Sequence, residues 1–262
     1  MNQSEMVSVF GHELYASLSG DGRPLLLING LGGNLENWEP LRDALDCRTL
    51  AFDAPGAGRS PSPRLPVPIP RIARLAVGLL DELGIEGEVD VLGVSMGGIV
   101  AQQVAIAYPE RVRKLVLAST TWGFGGIPGD PRAFATLMSP LRFIVPGLFK
   151  HSTSKMVGGR TSRDTELAER YRASRVRPPF GGFLKQLSVG TAWSTLFRAH
   201  QIVAPTLVIS GDDDPLIPPI NSKILSKVIP NAKLEIIEGA GHLAVVDEMH
   251  LVGPMLAKFL DH

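Results

Sequence analysis

The sequence predicts an α/β fold: a mostly parallel central sheet with helices on both faces and one inserted helical cap. Three observations carry that expectation. Short apolar runs rich in branched residues recur along the chain, several of them near-continuously apolar, as strands buried on both faces must be. Segments with helical spacing of apolar residues lie between some of them, and such alternation implies right-handed crossovers joining parallel strands. One interval between two strand signals, residues 122–203, is too long for a simple connection.

Taken in order, the opening "MVSVFG" and "HELYASLSG" read as an antiparallel hairpin added to the sheet. Core strands follow at "PLLLING" (24–30), "RTLAFDAPG" (48–56), "VDVLGVS" (89–95), "RKLVLAST" (113–120), "APTLVISG" (204–211) and "AKLEIIEG" (232–239). Helices are expected over 71–84, 97–112 and 220–230. Residues 60–70 carry Pro61, Pro63, Pro66, Pro68 and Pro70, so an extended loop is expected there. Within 122–203, "SRDTELAERYRASRV" has the pattern of an amphipathic helix. That makes 122–203 a cap inserted into a core of 1–121 and 204–262.

The 262 residues are 44% hydrophobic and 20% charged, ample for a real core. Net charge is zero, which gives the whole molecule no electrostatic pull toward nucleic acid or a membrane. The cap holds 12 of the 26 Lys and Arg but 4 of the 26 Asp and Glu, a formal +8 that leaves −8 on the rest. The plain reading is a basic helical surface complementing an acidic core. A single cysteine, Cys47, rules out an internal disulfide and fits a reducing compartment. The first residues lack a basic segment followed by an apolar run, and no stretch approaches the ~18 apolar residues of a membrane span. A soluble, cytoplasmic protein is expected, without an integral membrane segment.

"VDVLGVSMGGIVAQQVA" is the most informative stretch. A buried strand runs into Gly93-Val94-Ser95-Met96-Gly97 and a helix begins at once, the context in which Gly-x-Ser-x-Gly marks a nucleophile. So sharp a turn strains the serine backbone, and Gly93 and Gly97 leave room for neighbouring backbone. Ser95 then stands at the carboxyl ends of the strands, with a helix N-terminus facing any developing anion. The competing reading makes Ser95 an ordinary helix cap.

A serine needs a base. Of six histidines, His12 lies in the hairpin, His151 and His200 in the cap, His250 in a terminal helix and His262 at the end. His242, in the glycine-rich loop "EGAGHLAVVDE" after the last strand, can reach over the sheet. In α/β-hydrolases, which the Ser95 turn resembles, the acid falls between nucleophile and base in the chain. No carboxylate follows "RKLVLAST", so the loop "GDDDPLIP" after "APTLVISG" is the natural place for it. A metal site there fits poorly, because no spaced partner ligands follow. "LLLINGLGGNLENW" adds a tight loop whose Leu31 N–H, with that of Met96, makes a two-donor oxyanion hole. A dinucleotide fingerprint is the rival for these glycines, and the full Gly-x-Gly-x-x-Gly spacing is missing.

These stretches resemble the α/β-hydrolase superfamily and, more narrowly, the intracellular poly(3-hydroxyalkanoate) depolymerases. The narrower likeness rests on "NGLGGNLENW", "AFDAPGAGRS", "GVSMGGIVAQQVAIAYPERVRKLVLAST", "GGRTSRDTELA", "GTAWSTL" and "APTLVISGDDDPLIPPINSKILSKVIPNAKLEIIEGAGHL". It spans most of residues 24–250 and is weakest over 122–149. Met96 stands where those depolymerases are expected to carry tryptophan. The resemblance implies Ser95 as nucleophile, Asp214 as acid, His242 as base and the Leu31 and Met96 amides as the oxyanion hole. Pro215 also disfavours helical backbone at Asp214, leaving Asp212 and Asp213 as turn formers bonded to local backbone.

The reaction expected is ester hydrolysis through an acyl-enzyme, without cofactor or metal, on a small ester or polyester, with the polyester granule surface as a partner. Asn29 and the cap residues Phe143, Leu148, Phe180, Phe183, Trp193 and Phe197 are the expected pocket wall. The alternatives are a small-molecule carboxylesterase or enol-lactonase and, outside enzymes, a ligand-binding protein on the same fold.

Overall fold

In a computed structural model the described residues are 3–139, 155–173, 176 and 180–260. The strands are β1 (Gln3–Val9), β2 (His12–Ser19), β3 (Pro24–Ile28), β4 (Arg48–Phe52), β5 (Val89–Val94), β6 (Val112–Ala118), β7 (Thr206–Gly211) and β8 (Ala232–Ile237). They form one sheet in the order β1-β2-β4-β3-β5-β6-β7-β8. The first two make the expected hairpin, turned by Phe10 and Gly11 at φ of 47° and 79°. Two residues at positive φ give the tight turn whose twist matches paired strands. β2 meets β4 antiparallel, and the remaining neighbours pair in parallel.

The helices are α1 (Glu39–Ala44), α2 (Ile69–Glu82), α3 (Met96–Ala107), α4 (Pro131–Met138), α5 (Gly159–Arg163), α6 (Thr165–Ala173), α7 (Phe180–Ala192), α8 (Ile220–Val228), α9 (Ala244–Asp247) and α10 (Met249–Leu260). Two apolar layers sandwich the sheet. Along β3, Leu26 and Ile28 enter the layer with α2, α3 and α8, whereas Leu25 and Leu27 enter the one with α1, α9 and α10. This two-sided burial is why the strand reads as an unbroken apolar run.

Two expectations shift. The proline loop ends at Pro68 and α2 starts at Ile69, with Pro70 in its first turn, where a missing N–H costs nothing. The single helix expected over 162–176 is divided into α5 and α6 at Asp164. Its carboxylate accepts from the Glu166 and Leu167 amides at 2.9 and 3.1 Å and so caps the second helix. Between β6 and β7 the chain leaves and returns at one point. There the Phe124 amide donates to the Trp193 carbonyl (2.7 Å) and the Thr195 amide to the Trp122 carbonyl (2.9 Å). Among the described residues no helix is long and apolar enough to cross a membrane.

Candidate active site

β5 ends one residue before Ser95, which adopts φ 56° and ψ −123°, and α3 begins one residue after it. A non-glycine residue in this region costs about 1–3 kcal/mol, so the surroundings must hold it. The Ser95 amide donates to the Ala118 carbonyl at 3.0 Å. Its carbonyl accepts from the Gly98 amide (3.0 Å) and the Thr120 hydroxyl (2.6 Å). The glycines are required by contact. A side chain on Gly93 would overlap Gly97 and Ala101, and one on Gly97 would overlap the Ile28 and Asn29 carbonyls. The Ser95 side chain makes no capping bond to α3. Instead Ser95 lines a cavity of about 380 Å³ together with His242, Asn29, Leu31 and Met96.

His242 and Asp214 are both buried, and Nδ1 of the imidazole lies 2.8 Å from Oδ2 of the carboxylate. A carboxylate only accepts, so this contact puts the proton of a neutral ring on Nδ1 and leaves the Nε2 lone pair free. The other oxygen, Oδ1, accepts the Leu216 and Ile217 amides at 2.8 and 2.9 Å, which fixes the carboxyl plane. Its two neighbours do not form the local turn bonds expected of them. Asp212 Oδ1 accepts the Gly239 amide at 2.7 Å. Asp213 Oδ2 accepts the Gly159 amide and an Arg163 N–H, each at 3.1 Å. Both reach other loops, because Asp214 already takes the Leu216 and Ile217 amides of their own turn. The three aspartates therefore take three separate sets of partners rather than converging.

The loop after β3 turns tightly, with the Gly33 amide donating to the Gly30 carbonyl at 3.0 Å and Gly32 at φ 66°. A side chain on Gly30 would sit 3.0 Å from Ser95 Cβ, tighter than an ordinary contact, so glycine lets the loop lie against the serine without pushing it. Asn29 Nδ2 donates to the Asn34 carbonyl at 2.9 Å and pins the loop's far end. Asp53, fully buried, accepts the Leu35 and Arg59 amides at 2.9 and 2.8 Å. Loss of water pushes its carboxyl up to about 6 despite those two bonds.

The pocket wall differs from the expected one. Asn29 lines the cavity, whereas Phe143 and Leu148 lie outside the described residues. Phe180 stands exposed at the start of α7, and the Trp193 ring packs on the layer of α2 and α3; neither lines the cavity. Phe183 is buried and Phe197 is 86% exposed. The reason is that α7 turns Gly182, Gln186 and Gly190 to the core, which sends Phe180 outward. Phe124, Ile127, Phe134, Leu137, Met156 and Leu187 supply the apolar wall instead. The sequence reading also missed Gln186, whose carboxamide bonds the Gly32 amide. Its only signal is the four-residue spacing Gly182, Gln186, Gly190.

Residues 23–248 match the family described as alpha/beta hydrolase fold. A poly(3-hydroxyalkanoate) depolymerase of Ectopseudomonas oleovorans is 45% identical over 240 residues, 90% of this chain and 84% of that protein. A thermophilic esterase from Thermogutta terrifontis superposes with a TM-score of 0.84 at 25% identity, covering 99% of this chain and 98% of that one. An enol-lactonase from Burkholderia xenovorans LB400 gives 0.83 at 24% identity, covering 98% and 100%, a likeness of fold. Matched over most of its length in both sequence and architecture, the chain belongs to the alpha/beta hydrolase fold family.

Proposed function

We propose that the protein is a serine hydrolase of carboxylic esters, similar to poly(3-hydroxyalkanoate) depolymerases and acting on hydroxyalkanoate oligoesters or polymer. The observation that carries this reading is Ser95, held at positive φ on the edge of a cavity that it shares with the His242 of a His242–Asp214 pair. Ser95 Oγ attacks the ester carbonyl carbon while His242 Nε2 takes its proton. The carbonyl oxygen gathers negative charge between the amides of Leu31 and Met96. The carbonyl re-forms, the bond to the alcohol oxygen breaks, and His242 returns the proton to the leaving alcohol. Water then repeats the sequence on the acyl-enzyme, releasing the acid and restoring Ser95. Asp214 keeps the imidazole in one tautomer and steadies its cation.

The cavity's apolar wall suits an aliphatic acyl chain, and the 45% identity to a named depolymerase supports a polyester or oligoester over other acyl donors. In this reading residues 122–203 are the cap and the granule surface is where polymer is met. A small-ester hydrolase is the second reading, supported by the likeness to the Thermogutta esterase. Ser95→Ala should lower hydrolysis of p-nitrophenyl esters by at least ~10³-fold with an unchanged melting temperature, and retained turnover would remove this mechanism. A panel of hydroxyalkanoate oligomers, polymer, p-nitrophenyl esters and enol-lactones separates the substrates: release of 3-hydroxyacid oligomers supports the first reading, and activity confined to small esters the second.

A further inference from the structure

We infer that Gln186, on the inserted helix α7, is a positioning residue for the oxyanion loop, so that docking of α7 on the core sets the backbone beside Ser95. The inference rests on the proposed roles of Ser95 and of the Leu31 and Met96 amides.

Three positions spaced by four residues form one face of α7. Gly182 packs on Gly56, where a side chain on either would press into the other's backbone. Gly190 faces Met96, since a Cβ there would lie 3.3 Å from the Met96 sulfur. Between them Gln186 is 3% exposed, and both ends of its carboxamide are used. Oε1 accepts the Gly32 amide at 2.9 Å, and Nε2 donates to the Pro55 carbonyl at 3.1 Å. One helix face thus touches both segments that carry the proposed oxyanion donors. A second tie from the insertion reaches the same loop, where the Val176 amide donates to Asn34 Oδ1 at 3.2 Å.

The peptide unit that ends in the Gly32 N–H adjoins the one that carries the Leu31 N–H. Gly32, at φ 66°, has no side chain to resist rotation of that unit. Without an acceptor the buried amide is left unpaired or turns to find one; the first leaves the neighbouring unit less firmly held, and the second displaces it. Oxyanion donors work because they are fixed before charge develops. Gln186 touches no reacting atom; it acts through Gly32.

The test uses the purified full chain, with p-nitrophenyl hexanoate as substrate and an alkylboronic acid as the probe of the tetrahedral state. Active sites are counted by fluorophosphonate labelling, and Ser95→Ala is assayed first. If the wild type does not turn over, or Ser95→Ala does, the reading of the site fails and takes this inference with it. Otherwise Gln186→Leu should lower kcat per labelled site by roughly 10–100-fold, leave KM within about twofold and weaken boronate binding in parallel. Gln186→Glu, which keeps an acceptor at the same reach for the Gly32 amide but loses the donor to the Pro55 carbonyl, should recover part of that loss. Lys185→Met removes a neighbouring tie from α7 to the Pro63 carbonyl and should keep kcat within about twofold. Gln186→Leu with unchanged kcat and boronate affinity overturns the inference, as does an equal loss in Lys185→Met. Should Gln186→Leu not fold, kcat must fall in the order wild type, Gln186→Glu, Gln186→Asn, because asparagine is one methylene short; asparagine matching glutamate overturns it.

Discussion

Asp214 serves two partners at once, closing its own turn through Oδ1 and holding the imidazole through Oδ2. Asp214→Asn should therefore lower kcat/KM for p-nitrophenyl esters by about 10⁴-fold, because an amide at Oδ2 forces the wrong imidazole tautomer. Asp213→Asn keeps an oxygen for the Gly159 amide and loses only an exposed ion pair with Arg163, worth about 1 kcal/mol or less. Its kcat/KM should stay within about threefold; a collapse would move the acid role to Asp213. The loop proposed to hold the acid was legible because chain order left a single vacancy between Ser95 and His242. The partners of Asp212 and Asp213 were not, since they lie 27 and 54 residues away and leave no local pattern.

At the level of the element, the strand–turn–helix around Ser95 was the most legible part of the chain, because Gly93 and Gly97 each answer to a backbone contact. Gly97→Ala would drive a methyl into the carbonyls of Ile28 and Asn29, at the mouth of the oxyanion loop. Urea unfolding should show a loss of more than about 2 kcal/mol, or the protein should fail to accumulate in soluble form. Gly181→Ala in α7 meets nothing within 4 Å and should cost nothing or add about 0.5 kcal/mol. Equal effects would contradict the packing described. The break between α5 and α6 was also present in the sequence as Asp164 followed by Thr165-Glu166, a capping signal outweighed by the longer apolar spacing. The face that α7 presents was not legible, since glycines and a glutamine carry no apolar pattern.

For the whole molecule, the alternation of apolar runs and helical spacing predicted the sheet and its hairpin. The wall of the cavity escaped it, because apolar residues between β6 and β7 are divided between wall, core and exterior by contacts made far along the chain. The excess of basic residues between β6 and β7 is partly spent on carboxylates elsewhere in the chain, through Arg163 with Asp213 and Arg160 with Glu248. Stability should carry a pH signature. Asp53 and Asp247 are raised by burial from an ordinary 3.8 to about 6. Between those values the folded chain keeps protons that the unfolded chain has released, so their contribution is full below pH 4 and lost as pH rises through 6. From pH 5 to 7.5 the wild type should lose about 1–2 kcal/mol more, by urea unfolding, than Asp247→Asn; parallel curves would refute it. The seams between the β6–β7 segment and the rest of the chain are backbone against backbone: Gly56 on Gly182, Gly158 on Asp213, and Gly159 on Gly241. Where a relative carries a side chain at one of these glycines, laboratory recombination must then inherit both halves of that seam as one block. A crossover that parts them pairs a glycine with a methyl that no rotamer can withdraw, and such chimaeras should vanish from a library whatever their pockets resemble.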